Sequence, residues 1–269
     1  MRPYVPASPV RSLLPGVLAL SVVALGACNL QLSTDVEAKD QWTRTYPLTA
    51  EGELVLTTSN GRIEITGGDT DTVVVTAERI VRAASEEAAN EQLRIFEMQE
   101  EIAPNRVSID SSSKDVSLNV RRTVSYTVTL PRTAAVTLHS RNGDIRASNI
   151  GGHFAAESTN GRITATGLRQ SADVSTTNGV IVLAFDRLGG EGIRADTTNG
   201  TVTVSIPSTA NADLSARVIN GAITHEGLDL QISEASRRRL DGRLGAGGMP
   251  IRLETTNGTI TVKGLAMAK

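Results

Sequence analysis

The chain is poor in the residues that commonly stiffen or arm an exported domain. It has one cysteine in 269 residues, so no internal disulfide can form. The fold must hold itself by packing and hydrogen bonding alone. Aromatic residues make up only 3%. A core must therefore be built from Val, Ile, Leu and Ala, and sugar-stacking platforms are scarce. Three histidines beside that single cysteine leave little material for a His/Cys metal centre. The net charge is −2, which gives no electrostatic footprint for nucleic acid. The one long apolar run, Leu13 to Leu25, is too short for a comfortable membrane span.

What is present is a repeat. Asn-Gly occurs at Asn60-Gly61, Asn142-Gly143, Asn160-Gly161, Asn178-Gly179, Asn199-Gly200, Asn220-Gly221 and Asn257-Gly258. Apolar residues stand six and four places before each Asn, as at Leu54 and Leu56 or Ile251 and Leu253. They return three and five places after it, as at Ile63 and Ile65 or Ile260 and Val262. Two places before the Asn lies a Ser or Thr, except in the copy at Asn220, which has Val218.

Alternation at period two marks a strand with one buried face. The alternation slips by one residue at each Asn-Gly, so the chain must turn or bulge there. Two architectures fit. Asn-Gly can be a two-residue hairpin turn. It can equally be the corner of one coil in a parallel β-solenoid, with each Asn able to hydrogen-bond the next. Spacing favours the solenoid, because a coil must nearly close on itself. From Asn142 the intervals are 18, 18, 21 and 21 residues, then 37 with an insertion. The expected fold class is all-β: a parallel β-solenoid with a small N-terminal capping sheet and one short helix.

The domain layout follows from these signals. Residues 1–27 read as an export signal, with Arg2 and Arg11 before the apolar run and Gly26-Ala27 after it. Residues 28–45 read as a tether, 46–131 as a first coil plus capping subdomain, and 132–265 as the repeats with an insertion at 229–249. The helix is expected from Ser85, a plausible N-cap followed by Glu86 and Glu87. Trp42 is expected to cap the first coil. The insertion carries Arg237, Arg238, Arg239 and Arg243. It reads as a solvated loop or short helix, and alternatively as a basic patch for anionic lipid or polysaccharide.

Leu25-Gly26-Ala27-Cys28 resembles the lipobox of bacterial lipoproteins. That resemblance implies a lipid on Cys28 and attachment to a membrane. Asn29 stands where an Asp would resemble an inner-membrane retention signal, which leans toward the outer membrane in a Gram-negative cell.

Three further features travel together: Ser85 to Ala88, the strand Tyr126 to Pro131, and Gly247-Gly248 leading to Leu253, Thr256 and Ile260. With the Thr-x-Asn-Gly-x-Ile repeats, they make residues 45–265 resemble a family of bacterial exported or membrane-linked proteins of unknown function, labelled adhesins on the strength of a β-helical fold. The resemblance implies a β-helix-like fold and a surface location. It brings no catalytic residues.

No constellation in the chain points to a reaction. His225 falls on an inward position and is expected to be a buried or edge histidine; His139 and His153 fall on outward or turn positions. No Ser-His-Asp arrangement with a recognisable elbow appears. Asp144, Asp173, Asp186 and Asp196 fall on different coil positions, unlike the paired carboxylates of a glycosidase. The expected role is a non-enzymatic, lipid-anchored envelope module, structural or adhesin-like, with an envelope protein or polysaccharide as partner and no cofactor. A carbohydrate-binding or carbohydrate-active β-helix is the alternative.

Overall fold

The computed structural model describes residues 35–112 and 119–265. The export signal and Cys28 lie outside the described residues. The N-terminal part contains β1 (Val36–Pro47), β2 (Glu53–Asn60), β3 (Ile63–Gly68), β4 (Thr72–Ala83), α1 (Glu86–Ile95), β5 (Gln99–Ala103), β6 (Arg106–Asp110) and β7 (Arg121–Pro131). The repeats follow as β8 (Ala135–Asn142), β9 (Ile145–Ser148), β10 (Phe154–Asn160), β11 (Ile163–Leu168), β12 (Ala172–Asn178), β13 (Ile181–Phe185), β14 (Ile193–Asn199) and β15 (Val202–Pro207). The chain ends in β16 (Ala212–Glu226), β17 (Leu230–Ala235), β18 (Arg239–Leu244) and β19 (Met249–Leu265).

Neighbouring repeats run parallel, in register, with Asn opposite Asn. Asn60 faces Asn142, Asn142 faces Asn160, Asn160 faces Asn178, and Asn178 faces Asn199. The hairpin alternative is therefore excluded: strands joined by Asn-Gly are not each other's partners. Strands before the Asn stack into a first sheet and strands after it into a second, and the two are joined as one 19-stranded sheet where β16 and β19 run through their corners. The residues at six and four places before each Asn are buried in every coil. This slender aliphatic filling runs the length of the stack and accommodates only a few rings, Phe154, Phe185 and Tyr126 among them.

The order of the coils departs from the order of the chain. The last repeat, β19, lies between the fifth and the sixth. Asn199 faces Asn257, and Asn257 faces Asn220. The physical reason is on the inward column. In β19 that column holds Ile251, Leu253, Ile260 and Val262, all fully buried. In β16 the residue opposite Val262 is His225. A coil with an imidazole at that place would strand a polar ring among aliphatic side chains if it were sandwiched. At the end of the stack His225 reaches solvent instead and is exposed, the edge position rather than the buried one of the two expected for it.

Three expectations need correction. Residues 36–45, read as tether, form most of β1, which pairs antiparallel with β4 along its full length. Their polarity reflects an edge strand with one wet face, held by main-chain bonds rather than by side-chain burial. Residues 106–131 are more than a cap: β6 pairs parallel with β2 and β7 with β3, adding a further coil without Asn-Gly. The insertion is neither loop nor helix but the hairpin β17–β18, laid antiparallel on the first half of β16. Its Leu240 and Leu244 are buried and close that half of the core.

The helix forms where expected. Ser85 caps it, its hydroxyl accepting from the Ala88 N–H at 3.2 Å. Ala89 and Leu93 turn inward and pack with Ala38, Val81 and Ala83, covering β1 and β4 at the N-terminal end. Trp42 is partly buried against the main core, with the Arg44 guanidinium 5.1 Å above its ring.

Candidate binding surface

All seven repeat asparagines join one hydrogen-bonded file. Asn142 Nδ2 donates to Asn60 Oδ1 at 3.0 Å, and Asn160 donates to Asn142 at 2.9 Å. Asn178 donates to Asn160, and Asn199 to Asn178, both at 2.9 Å. Asn257 donates to Asn199 at 2.8 Å, and Asn220 to Asn257 at 2.9 Å. At the N-terminal end Asn60 Nδ2 donates to the Arg122 carbonyl at 3.2 Å, which closes the file on the extra coil. Every amide points the same way, so the dipoles add along the stack.

The glycines let the coils approach this closely. A Cβ on Gly179 would lie 1.9 Å from the Gly161 carbonyl oxygen. At Gly61 the backbone is also left-handed, with φ 123°. Beneath the corner runs a column of buried hydroxyls. Thr58 donates to the Asn60 carbonyl at 3.2 Å, and Thr255 to the Gly200 carbonyl at 3.2 Å. Ser140, Ser158 and Thr176 stand in the same column with their hydroxyls buried and no hydrogen-bond partner.

The outer face of the first sheet carries an open groove of about 760 Å³. Thr159, Thr177, Thr198 and Thr256, each directly before an Asn, line it coil after coil. Around them lie charged side chains that are mostly paired. Arg194 meets Asp196 at 2.7 Å, and Arg217 meets Glu254 at 3.9 Å. Arg239 meets Asp241 at 2.5 Å and Glu234 at 3.1 Å. Burial alone would raise the Asp241 carboxyl, but hydrogen bonds from Ser215 and Arg239, with the nearby guanidinium charges, outweigh it and hold the group below the usual carboxylate range. Arg237 and Arg238 sit exposed at the tip of the β17–β18 hairpin. Asp213 ties the hairpin's far end: it accepts from the Gly248 N–H at 2.9 Å and from Arg243 at 3.2 Å, which together lower its pKa.

The remaining candidates do not converge. His139 lies 3.4 Å from Glu157 on the outer face. His153 Nδ1 is 2.7 Å from Ser171 Oγ, a bond that staples one coil connection to the next coil. No group of three or more His, Cys, Asp or Glu that could hold a metal ion occurs among the described residues. No helix among them is long and apolar enough to cross a membrane. The arrangement can offer a periodic array of hydroxyls and paired charges. The threonine array was readable in the sequence, since Thr precedes Asn-Gly in four copies. The hairpin that rims it was not, because β17 has no alternation of burial.

The chain is similar to several solved structures. A protein from Clostridium sporogenes provisionally named for cell adhesion is 14% identical with a TM-score of 0.49, over 85% of this chain and 100% of that one. A Bacteroides fragilis protein provisionally named an adhesin is also 14% identical, with a TM-score of 0.42 over 85% and 98% of the two chains. Comparison with curated proteins finds no match. A family match spans residues 32–263, nearly the whole of the repeat-bearing part. The chain belongs to the Toastrack DUF4097 family.

Proposed function

We propose that this protein is a non-enzymatic interaction module of the cell envelope, tethered by a lipid on Cys28 and binding through the outer faces of its stacked strands. The observation that carries this reading is the outer face itself. The groove is floored by Thr159, Thr177, Thr198 and Thr256, and Arg194, Arg217 and Arg239 on its rim already have carboxylate partners. Such a surface recognises by many weak, repeated hydrogen bonds, as a polymer or an extended partner would require. No nucleophile with a base and an orienting acid lines it, and its carboxylates Asp196 and Glu254 are engaged by Arg194 and Arg217.

The lipid anchor rests on Leu25-Gly26-Ala27-Cys28. Replacing Cys28 with Ala, together with lipid labelling and cell fractionation, tests it. The variant is expected to lose label and to leave the membrane fraction; a variant still in the membrane refutes the anchor. Binding is tested by presenting envelope polysaccharides and detergent-solubilised envelope proteins to the purified protein. Retention that Thr177→Val and Thr198→Val together abolish supports the groove. Release of cleaved sugar products refutes a non-enzymatic role and favours the carbohydrate-active alternative.

A further inference from the structure

Two free sheet edges lie at the β16 end of the stack, and they are offset. The first sheet continues past β16 into β18 and β17. The second sheet and the corner leading into it end the stack at residues 219–226 of β16, of which Asn220 to Glu226 pair with β19 on one side and with no described strand on the other. The first sheet therefore overhangs the second by two strands, about 10 Å at ordinary strand spacing. Under the overhang the core is incompletely closed. Ile223 is only partly covered and His225 is exposed. Ile219, at the corner of this edge and on the rim of the outer groove, is 60% exposed, and Ile232 on β17 is 47% exposed.

The opposite end is protected. Its edge strand β1 carries Lys39 and Arg44, with Glu37 and Asp40 paired to Arg82 and Arg79 of β4, and β5 carries Glu100 and Glu101. Charges on an edge strand discourage addition of another strand. From Ile219 to Glu226 there is no Lys, Arg or Pro. The one acid, Glu226, is already neutralised by Lys263 at 2.6 Å. A molecule with one blocked end and one bare end is not made for head-to-tail growth. It is made to pair bare end to bare end.

We infer that two copies of this chain join tail to tail about a two-fold axis, the overhanging β17 of each lying beside residues 219–226 of the other. The step makes the two ends complementary: each overhang fills the other copy's gap. The lengths are compatible, since the six residues of β17 fit within the free edge of residues 219–226. Main-chain groups of both edges gain partners, and Ile219, Ile223 and Ile232 lose solvent contact. Because the contact is isologous it closes at two and cannot extend into a fibre. The inference stands on the strand topology; Ile219, at the corner, is shared with the lining of the outer groove.

The test uses the full chain carrying Cys28→Ala, in mild detergent. Sedimentation equilibrium is expected to show monomer and dimer with no larger species. Ile232→Lys, at an exposed position, is expected to leave the circular dichroism unchanged and raise the dimer dissociation constant at least about tenfold. In the same background, Ile219→Cys and Ile232→Cys proteins are expected to cross-link when mixed and oxidised, and neither is expected to cross-link alone. A wild-type chain that stays monomeric, an open series of oligomers, a dimer indifferent to Ile232→Lys, or self-cross-linking of the Ile219→Cys protein would each overturn the inference.

Discussion

An asparagine that both gives and receives an amide hydrogen bond is tied to its coil and to the coil on either side. Asn178 makes two such bonds, to Asn160 and from Asn199. Asn220, at the end of the file, makes only one. Each bond is partly open to water, so its net worth is at the ordinary scale of about 0.5–1.5 kcal/mol. Asn178→Ala is expected to destabilise by about 1–3 kcal/mol in urea unfolding, and Asn220→Ala by about half as much. Equal effects would show that the file is not energetically continuous. Gly179→Ala tests the spacing rather than the amides. With a Cβ 1.9 Å from the Gly161 carbonyl oxygen, the coils must part, at a cost of about 1–3 kcal/mol or more.

Two tyrosines at the N-terminal end give the stack an alkaline limit. Burial raises the Tyr126 phenol above its ordinary value, and the Asp110 charge adds to that; Ser111 and Arg79 oppose it without reversing it. Burial also raises Tyr46, helped by its hydrogen bond to Glu100. Both phenols are neutral in the fold. The stability they contribute is therefore whole below the ordinary phenol pKa of about 10 and lost as pH rises through their raised folded values. Thermal melts across this range are expected to fall more steeply for the wild type than for a chain with both Tyr46→Phe and Tyr126→Phe. Parallel curves would contradict the assignment.

At the scale of elements, β19 holds the end of the molecule together. The segment β16–β18 reaches the rest of the stack through β19, which pairs with β14, β15 and β16. Val262→Asp puts a charge into the fully buried column of β19. It is expected to cost about 4 kcal/mol or more locally. Hydrogen exchange should then show residues 212–265 losing protection while β8 to β13 keep theirs. Uniform loss would mean that the stack unfolds as one unit.

The repeat itself was legible because register, face and corner are all written in the same short pattern. Every apolar position at Asn minus six and Asn minus four is buried. The stacking order was not legible, because all copies share one register and pattern alone cannot rank neighbours. The clue lay in one residue, His225, where other copies carry aliphatic side chains. As an inward position it allowed burial or an edge; only its polarity favours the edge, and with it an end coil. β1 escaped for a different reason. An edge strand bonded through its main chain needs few apolar side chains, so Val36 to Thr45 resembles a linker. The coil of β6 and β7 escaped because it lacks Asn-Gly, although Tyr126 and Val128 stand opposite Ile63 and Ile65.

For the whole molecule, the account depends on parallel coils whose spatial order is set by which copies tolerate burial. Disulfide trapping in a Cys28→Ala background tests this most directly. Asp196, Glu254 and Arg217 project outward on neighbouring strands, with Asp196 opposite Glu254 and Glu254 opposite Arg217. Cysteines at 196 and 254 are expected to join on mild oxidation, as are cysteines at 254 and 217. Cysteines at 196 and 217, two strands and about 10 Å apart, are expected to remain free. Rapid joining of 196 to 217, with 254 left out, would mean that the coils stack in chain order and would contradict the account.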